Sequence, residues 1–341
     1  MVYDAVQPCT LWQMPTRAMC RLQALHSDAS GRFRGAHGRR SPATEAECSA
    51  TRQRLRSTAP DGVLSLETWS QVHQDWVVAL LFATVLTPQS RTYVDLAANG
   101  PIFDSNTYLF DRCLGWQGVC IEANPQYAAH HAQTRSSTFI SACVAPTPTD
   151  AFFDMTSIGQ LGHLVTASAH NKTGTVRAMR CEPLAHLLAP FPRISKHIDY
   201  LSLDVEGAEL GALQSIDWAQ TSVSLMTVED ATSAIVTLLA AQQMVPVMCI
   251  MIDTVFVHVR HAADVKAWLR TVGSRLLTRG EGARAHFNSS AVPLLSNRTT
   301  DCRDRFSTRT ARSRPPLPLH HAMPLAAGVP VARRQSMRPA R

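Results

Sequence analysis

The sequence predicts an α/β fold: a mostly parallel sheet with helices on both faces and an antiparallel closing pair of strands. Three observations lead there. Short apolar runs rich in β-branched and aromatic residues recur, as in Thr92-Tyr-Val-Asp-Leu, Gly118-Val-Cys-Ile-Glu and Ile198-Asp-Tyr-Leu-Ser-Leu-Asp, the make-up of buried strands. Segments of helical spacing separate them, as parallel pairing requires. Between residues 91 and 122, strand, turn, helix and second strand fit the length of one βαβ crossover.

The elements follow in order. Residues 64–86 are apolar at helical spacing and close at Pro88. The first strand, 92–97, breaks at Ala98-Asn-Gly-Pro101. Ser105 or Asn106 can cap a helix that ends at Gly115, where glycine tolerates a left-handed backbone. A strand at 118–122, a helix at 125–135 and a strand at 138–144 come next. A less regular stretch, 145–197, holds a short helix at 184–188. Then come a strand at 198–204, a helix from 207 to 216, a strand at 223–229 and a helix at 233–243. Segments 245–251 and 254–259 form the closing pair. This divides the chain into a disordered basic extension (1–60), a folded domain (61–285, core 91–258) and a disordered Pro/Arg-rich tail (286–341).

Charge supports that division. The net +7 resides in the ends: nine arginines against four acids in residues 1–60, and nine against two in 301–341. The middle is mildly acidic. Basic segments with so little apolar periodicity bury too little surface to offset ordering entropy, so specific nucleic-acid binding is not expected. The longest apolar run, 76–86, is about half a bilayer span, so no transmembrane segment is expected. The nine cysteines are scattered without a C-x-x-C pair. That pattern suggests free thiols in a reducing compartment rather than a zinc site or a disulfide framework, and an intracellular location. The first sixty residues, rich in Arg, Ser and Ala, loosely suit an organellar transit peptide. Asn171, Asn288 and Asn297 begin sequons. His130, His131 and His163 share no ligand spacing and read as surface groups.

In open α/β sheets, ligands bind beyond the carboxyl ends of the strands where strand order reverses. The first strand ends in Asp95-Leu-Ala97-Ala-Asn99-Gly100, small residues that let backbone amides approach a ligand. The second ends in Glu122, whose carboxylate can accept hydrogen bonds from both hydroxyls of a ribose. With no G-x-G-x-x-G, a dinucleotide and a nicotinamide-dependent oxidoreductase are disfavoured.

The words Tyr93-Val-Asp-Leu-Ala-Ala-Asn-Gly, Ser105-Asn-Thr-Tyr-Leu-Phe, Leu114-Gly-Trp-Gln-Gly-Val-Cys-Ile-Glu-Ala-Asn-Pro and Ile198-Asp-Tyr-Leu-Ser-Leu-Asp-Val-Glu-Gly-Ala-Glu-Leu resemble the FkbM-type methyltransferases, across about residues 91–258. The resemblance implies a class I methyltransferase Rossmann-like fold, S-adenosyl-L-methionine as cofactor, and a hydroxyl of a sugar, polyketide or related small molecule as methyl acceptor. By position it puts Asp95, Ala97, Asn99 and Gly100 beside the methionine half of the cofactor, Glu122 and Ala123 at the ribose, and Val144, within 143–145, at the adenine. The family usually has Gly where Ala97 stands and often Asp where Gly100 stands, which motivates the alternative of a catalytically inactive binding scaffold. Asp204 and Glu206, at the end of the fourth core strand, are expected to position or deprotonate the acceptor hydroxyl, with Glu229 facing substrate from the next strand or capping the helix that follows. Glu209 reads as a helix N-terminal charge. Asp253 reads as a turn residue. Nothing in the spacing demands a metal, and oligomeric state is open.

Overall fold

The computed structural model describes residues 41–56, 68–71, 74–155, 163–165, 176–250 and 253–270. Its first half runs α1 (Glu45–Arg56), α2 (Gln74–Thr84), β1 (Thr92–Leu96), α3 (Tyr108–Arg112), β2 (Gln117–Glu122), a 3-10 turn (Pro125–Tyr127), α4 (Ala128–Thr134), β3 (Thr138–Ser141) and β4 (Cys143–Val144). Next come β5 (Thr149–Asp154), β6 (His163–Val165), β7 (Val176–Glu182), α5 (Leu184–Leu188), β8 (His197–Leu203) and α6 (Glu209–Gln214). The last are β9 (Ser222–Glu229), α7 (Ser233–Ala241), β10 (Met244–Ile250), β11 (Asp253–His258) and α8 (Val259–Trp268).

Seven strands form the main sheet in the order β10-β11-β9-β8-β1-β2-β3. The pairs β1–β2, β2–β3, β1–β8 and β8–β9 are parallel, and β11 runs antiparallel to both neighbours. This is the α/β class I methyltransferase topology. Chain order reverses at β1, which has β2 on one side and β8 on the other. Side chains alternate faces along a strand, and two cores result. Tyr93, Tyr200, Leu225 and Val257 pack with Leu55, Leu80, Phe110 and Val265. Leu96, Ile121, Leu203 and Val228 pack with Leu184, Leu213, Ile235 and Leu239. Burial of whole strands on both faces is why they read as continuous apolar runs. At Gly118 a side chain is excluded: an added Cβ would lie 2.0 Å from the Tyr93 ring, which crosses β2 at this point. Gly115 takes φ +67 as α3 ends, as its place in the sequence suggests.

Four expectations are corrected. Residues 45–56, placed in a disordered extension, form a helix whose Cys48, Thr51 and Leu55 are buried. The helix expected over 64–86 is formed by residues 74–84. Residues 68–70 instead turn around Asp75, whose carboxylate accepts from the Trp69 N–H at 2.9 Å and the Ser70 hydroxyl at 2.7 Å. The irregular stretch 145–197 carries a second sheet, β4-β7-β5-β6, into which the end of the strand expected at 138–144 passes. The cysteines are not all free thiols. Cys48 is bonded to Cys113, tying α1 to the end of α3, and Cys143 to Cys181, joining β4 and β7. Cys120 is a buried free thiol. Disulfides persist chiefly in oxidising environments, so the argument for a reducing, intracellular setting falls with them. Among the described residues no helix is long and apolar enough to cross a membrane. The tail 286–341, Asn171 and the other sequons lie outside the described residues.

Candidate active site

The sheet register fixes what faces what at the reversal point. Leu96 pairs with Ile121 on one side and Leu203 on the other. The next residues, Glu122, Ala97 and Asp204, are therefore level with one another. Two strand spacings of about 4.8 Å separate Glu122 from Asp204. Leu203 pairs with Val228, and Glu229 with Asp253, so the row continues as Asp204, Glu229 and Asp253. The preceding residues Leu96, Ile121, Leu203 and Val228 all face one core, which turns this acidic row toward the other face.

Glu122 is buried, yet both carboxylate oxygens are engaged. Oε2 accepts from the Asn99 N–H at 2.9 Å and Oε1 from the Asn124 N–H at 2.7 Å. Burial raises its pKa, and the two backbone donors oppose the rise. A carboxylate has about four acceptor sites, so each oxygen keeps a lone pair for a further donor, such as one of two vicinal hydroxyls. Ala123 is half-buried beside it. Ala97 and Asn99 hold φ +59 and +50. Ala97 thus adopts the left-handed backbone that glycine takes without penalty, at a cost of about 1 kcal/mol for alanine. The N–H groups of Ala97 and Ala98 both donate to the Ile121 carbonyl, at 2.9 and 3.2 Å, holding the turn to β2. Gly100 does not need to be glycine: a Cβ there would sit 3.7 Å from the Phe103 carbonyl oxygen, ordinary contact.

Asp95 lies beneath this loop rather than open to it. It is 3% exposed, and its Oδ2 accepts from the Thr107 hydroxyl at 2.5 Å. Val144 is buried in the second core. Ser105, proposed as a cap, accepts from the Tyr108 N–H at 3.1 Å. Asn106 instead reaches across, its Nδ2 donating to Ser202 Oγ at 3.1 Å.

The acids at the β8 and β9 tips converge. One carboxylate oxygen from each of Asp204, Glu206 and Glu229 falls within 4.8 Å of the others, a trio able to hold a divalent cation. Asp204 and Glu229 interact closely, and burial raises both above the ordinary carboxylate range. Burial and the adjacent Asp204 charge push Glu229 far above the carboxylate range. The same two causes push Glu206 up to about 7 and Asp253 up to about 7. Asp253, read as a turn residue, opens β11 at 5% exposure and accepts from Gln74 Nε2 at 2.7 Å. Only the partner strand at Glu229 marks it as part of the row. Glu209 folds back to accept from the Gly207 N–H at 2.9 Å, in keeping with a helix N-terminal role. His131, read as a surface group, is 1% exposed.

Glu122, with a lone pair left on each oxygen, thus lies level with the acidic row at the chain reversal of the sheet. Residues 95–259 match the family model described as Methyltransferase FkbM domain. The match covers a little under half of the chain. No curated protein matches it.

Proposed function

We propose that the protein transfers a methyl group from S-adenosyl-L-methionine to a hydroxyl oxygen of a small molecule, a sugar among the candidates. The observation that carries this reading is the level placement of Glu122 and Asp204 on either side of Ala97. Glu122, with its two oxygens fixed by Asn99 and Asn124, would take the ribose hydroxyls. The 97–100 turn would face the methionine half, Ala123 would sit beside the ribose, and Val144 would border the adenine. When bound, the cofactor supplies an electrophilic methyl on a positively charged sulfonium.

The acidic row suits both partners. Its negative charge complements a sulfonium, and its carboxylates can orient an acceptor hydroxyl and take its proton as the oxygen is methylated. Asp204, half-buried at the end of the central strand, would face both. Glu229, raised by burial and the neighbouring Asp204 charge, would hold its own proton beside it, and the exposed Glu206 can release a proton to water. The rival reading, a scaffold that binds without turnover, rests on Ala97 and Gly100; Ala97 bears a modest cost for its left-handed backbone, and a side chain at Gly100 would make only ordinary contact.

Calorimetry of the full chain with S-adenosyl-L-methionine and with S-adenosylhomocysteine is the test. Saturable binding of both is expected. No heat and no thermal shift at millimolar ligand would overturn the reading. Binding without methyl transfer to any member of a broad hydroxyl-acceptor panel would favour the scaffold.

A further inference from the structure

We propose that His131 and Arg135, one turn apart on and just beyond α4, are positioning residues that clamp the 97–107 loop into its ligand-receiving form. This builds on the reading that Glu122 and the loop hold a nucleoside. The helix follows Glu122 in the chain and doubles back beneath the loop, so the strand that supplies the gripping carboxylate also supplies its brace.

The two residues divide the loop between them. His131 Nε2 lies 2.8 Å from the Asn99 carbonyl oxygen, and the Asn99 N–H is the group that fixes Glu122 Oε2. Asn99 is therefore held on both of its peptide groups, in a left-handed conformation that asparagine adopts more readily than most residues other than glycine. His131 acts on Glu122 through that residue. Arg135 secures the remainder. Its Nη1 donates to the Pro101 carbonyl at 3.0 Å and to Ser105 Oγ at 3.1 Å. Its Nη2 donates to Thr107 Oγ1 at 2.8 Å and to Tyr93 Oη at 2.9 Å, and its Nε to Asp111 at 2.5 Å. All five guanidinium donors are used, and three end on the loop. Thr107 passes the constraint on by donating to Asp95.

A packing role alone does not account for His131. Its ring is 1% exposed and its Nδ1 has no partner, and a stranded buried acceptor is costly. Leucine would fill this place beside Phe139 without that cost. What leucine lacks is a donor for Asn99. Burial also lowers the ring's pKa to about 4, so near neutral pH it is uncharged, with Nε2–H as the donor that Asn99 requires.

The test compares His131→Leu with His131→Gln in the full chain, reading S-adenosylhomocysteine affinity, thermal midpoint and hydrogen exchange of the 98–107 amides. His131→Leu is expected to weaken binding about tenfold, the worth of about 1.4 kcal/mol. It should speed exchange in the loop and leave the midpoint at or above wild type. His131→Gln, which restores an N–H donor, should recover most of both losses. Wild-type affinity and exchange in His131→Leu would overturn the clamp, as would a loss that glutamine does not rescue. If wild type itself does not bind, the methyltransferase reading fails and the exchange comparison alone decides the clamp. Because Arg135→Lys also disturbs the buried pair with Asp111, the His131 pair carries the decision.

Discussion

Asp204→Asn is expected to lower turnover by about 10²–10⁴-fold, the usual worth of a positioned acid or base, while cofactor affinity stays near wild type. Asparagine keeps the shape and can still hydrogen-bond Glu229, but it cannot accept the acceptor's proton. The same row predicts opposite responses of rate and stability to pH. Burial raises Asp253 from 3.8 to about 7. A carboxyl whose pKa rises on folding stabilises the fold while protonated. That contribution is complete below the unfolded value and is lost as pH climbs through about 7. Thermal midpoints should therefore fall between pH 5 and pH 8, and fall less in Asp253→Asn. Turnover, which needs ionised carboxylates, should rise over the same interval. A midpoint that rises with pH, or an Asp204→Asn enzyme with wild-type turnover, would contradict this account of the acids. A stability cost carried by charged groups at a working site is a common exchange between stability and activity.

The second large effect is expected at Glu122. Replacement by alanine removes two charge-assisted acceptors, each worth about 1.5–3 kcal/mol. It also strands the N–H groups of Asn99 and Asn124. Affinity for S-adenosyl-L-methionine and for S-adenosylhomocysteine should drop together by about 100-fold or more, because both carry the ribose that we propose the carboxylate holds. Affinity for methionine alone, which lacks the ribose, should not change by a comparable factor. Calorimetry on the variant checks this. A loss below about threefold would remove Glu122 from the binding machinery.

Much of this was visible in the residues. The strands β1, β2, β8 and β9 are buried on both faces, so their apolar runs announced themselves, and the reversal point followed from where those runs end. Glu122 and Asp204 stood out because each is an acid that terminates such a run. What was not legible lacked that signature. β5 reads Thr-Asp-Ala-Phe-Phe-Asp and is mostly exposed or half-buried, so neither a continuous nor an alternating pattern marks it. α1 buries only Cys48, Thr51 and Leu55 in an otherwise charged segment, a stripe too thin to separate from an Arg-rich extension. The disulfides span 65 and 38 residues, and dispersed cysteines do not reveal their pairing. Asp253 and His131 were misread for one reason: each owes its burial to a partner distant in sequence, Glu229 and Asn99 respectively, which no local window contains.

A crystal structure of the protein with S-adenosylhomocysteine tests the central claim most directly. The account predicts the ribose hydroxyls on Glu122, with the sulfur facing Asp204 across the Ala97 turn. Ligand bound elsewhere, or bound there with Glu122 still contacting only Asn99 and Asn124, would contradict it.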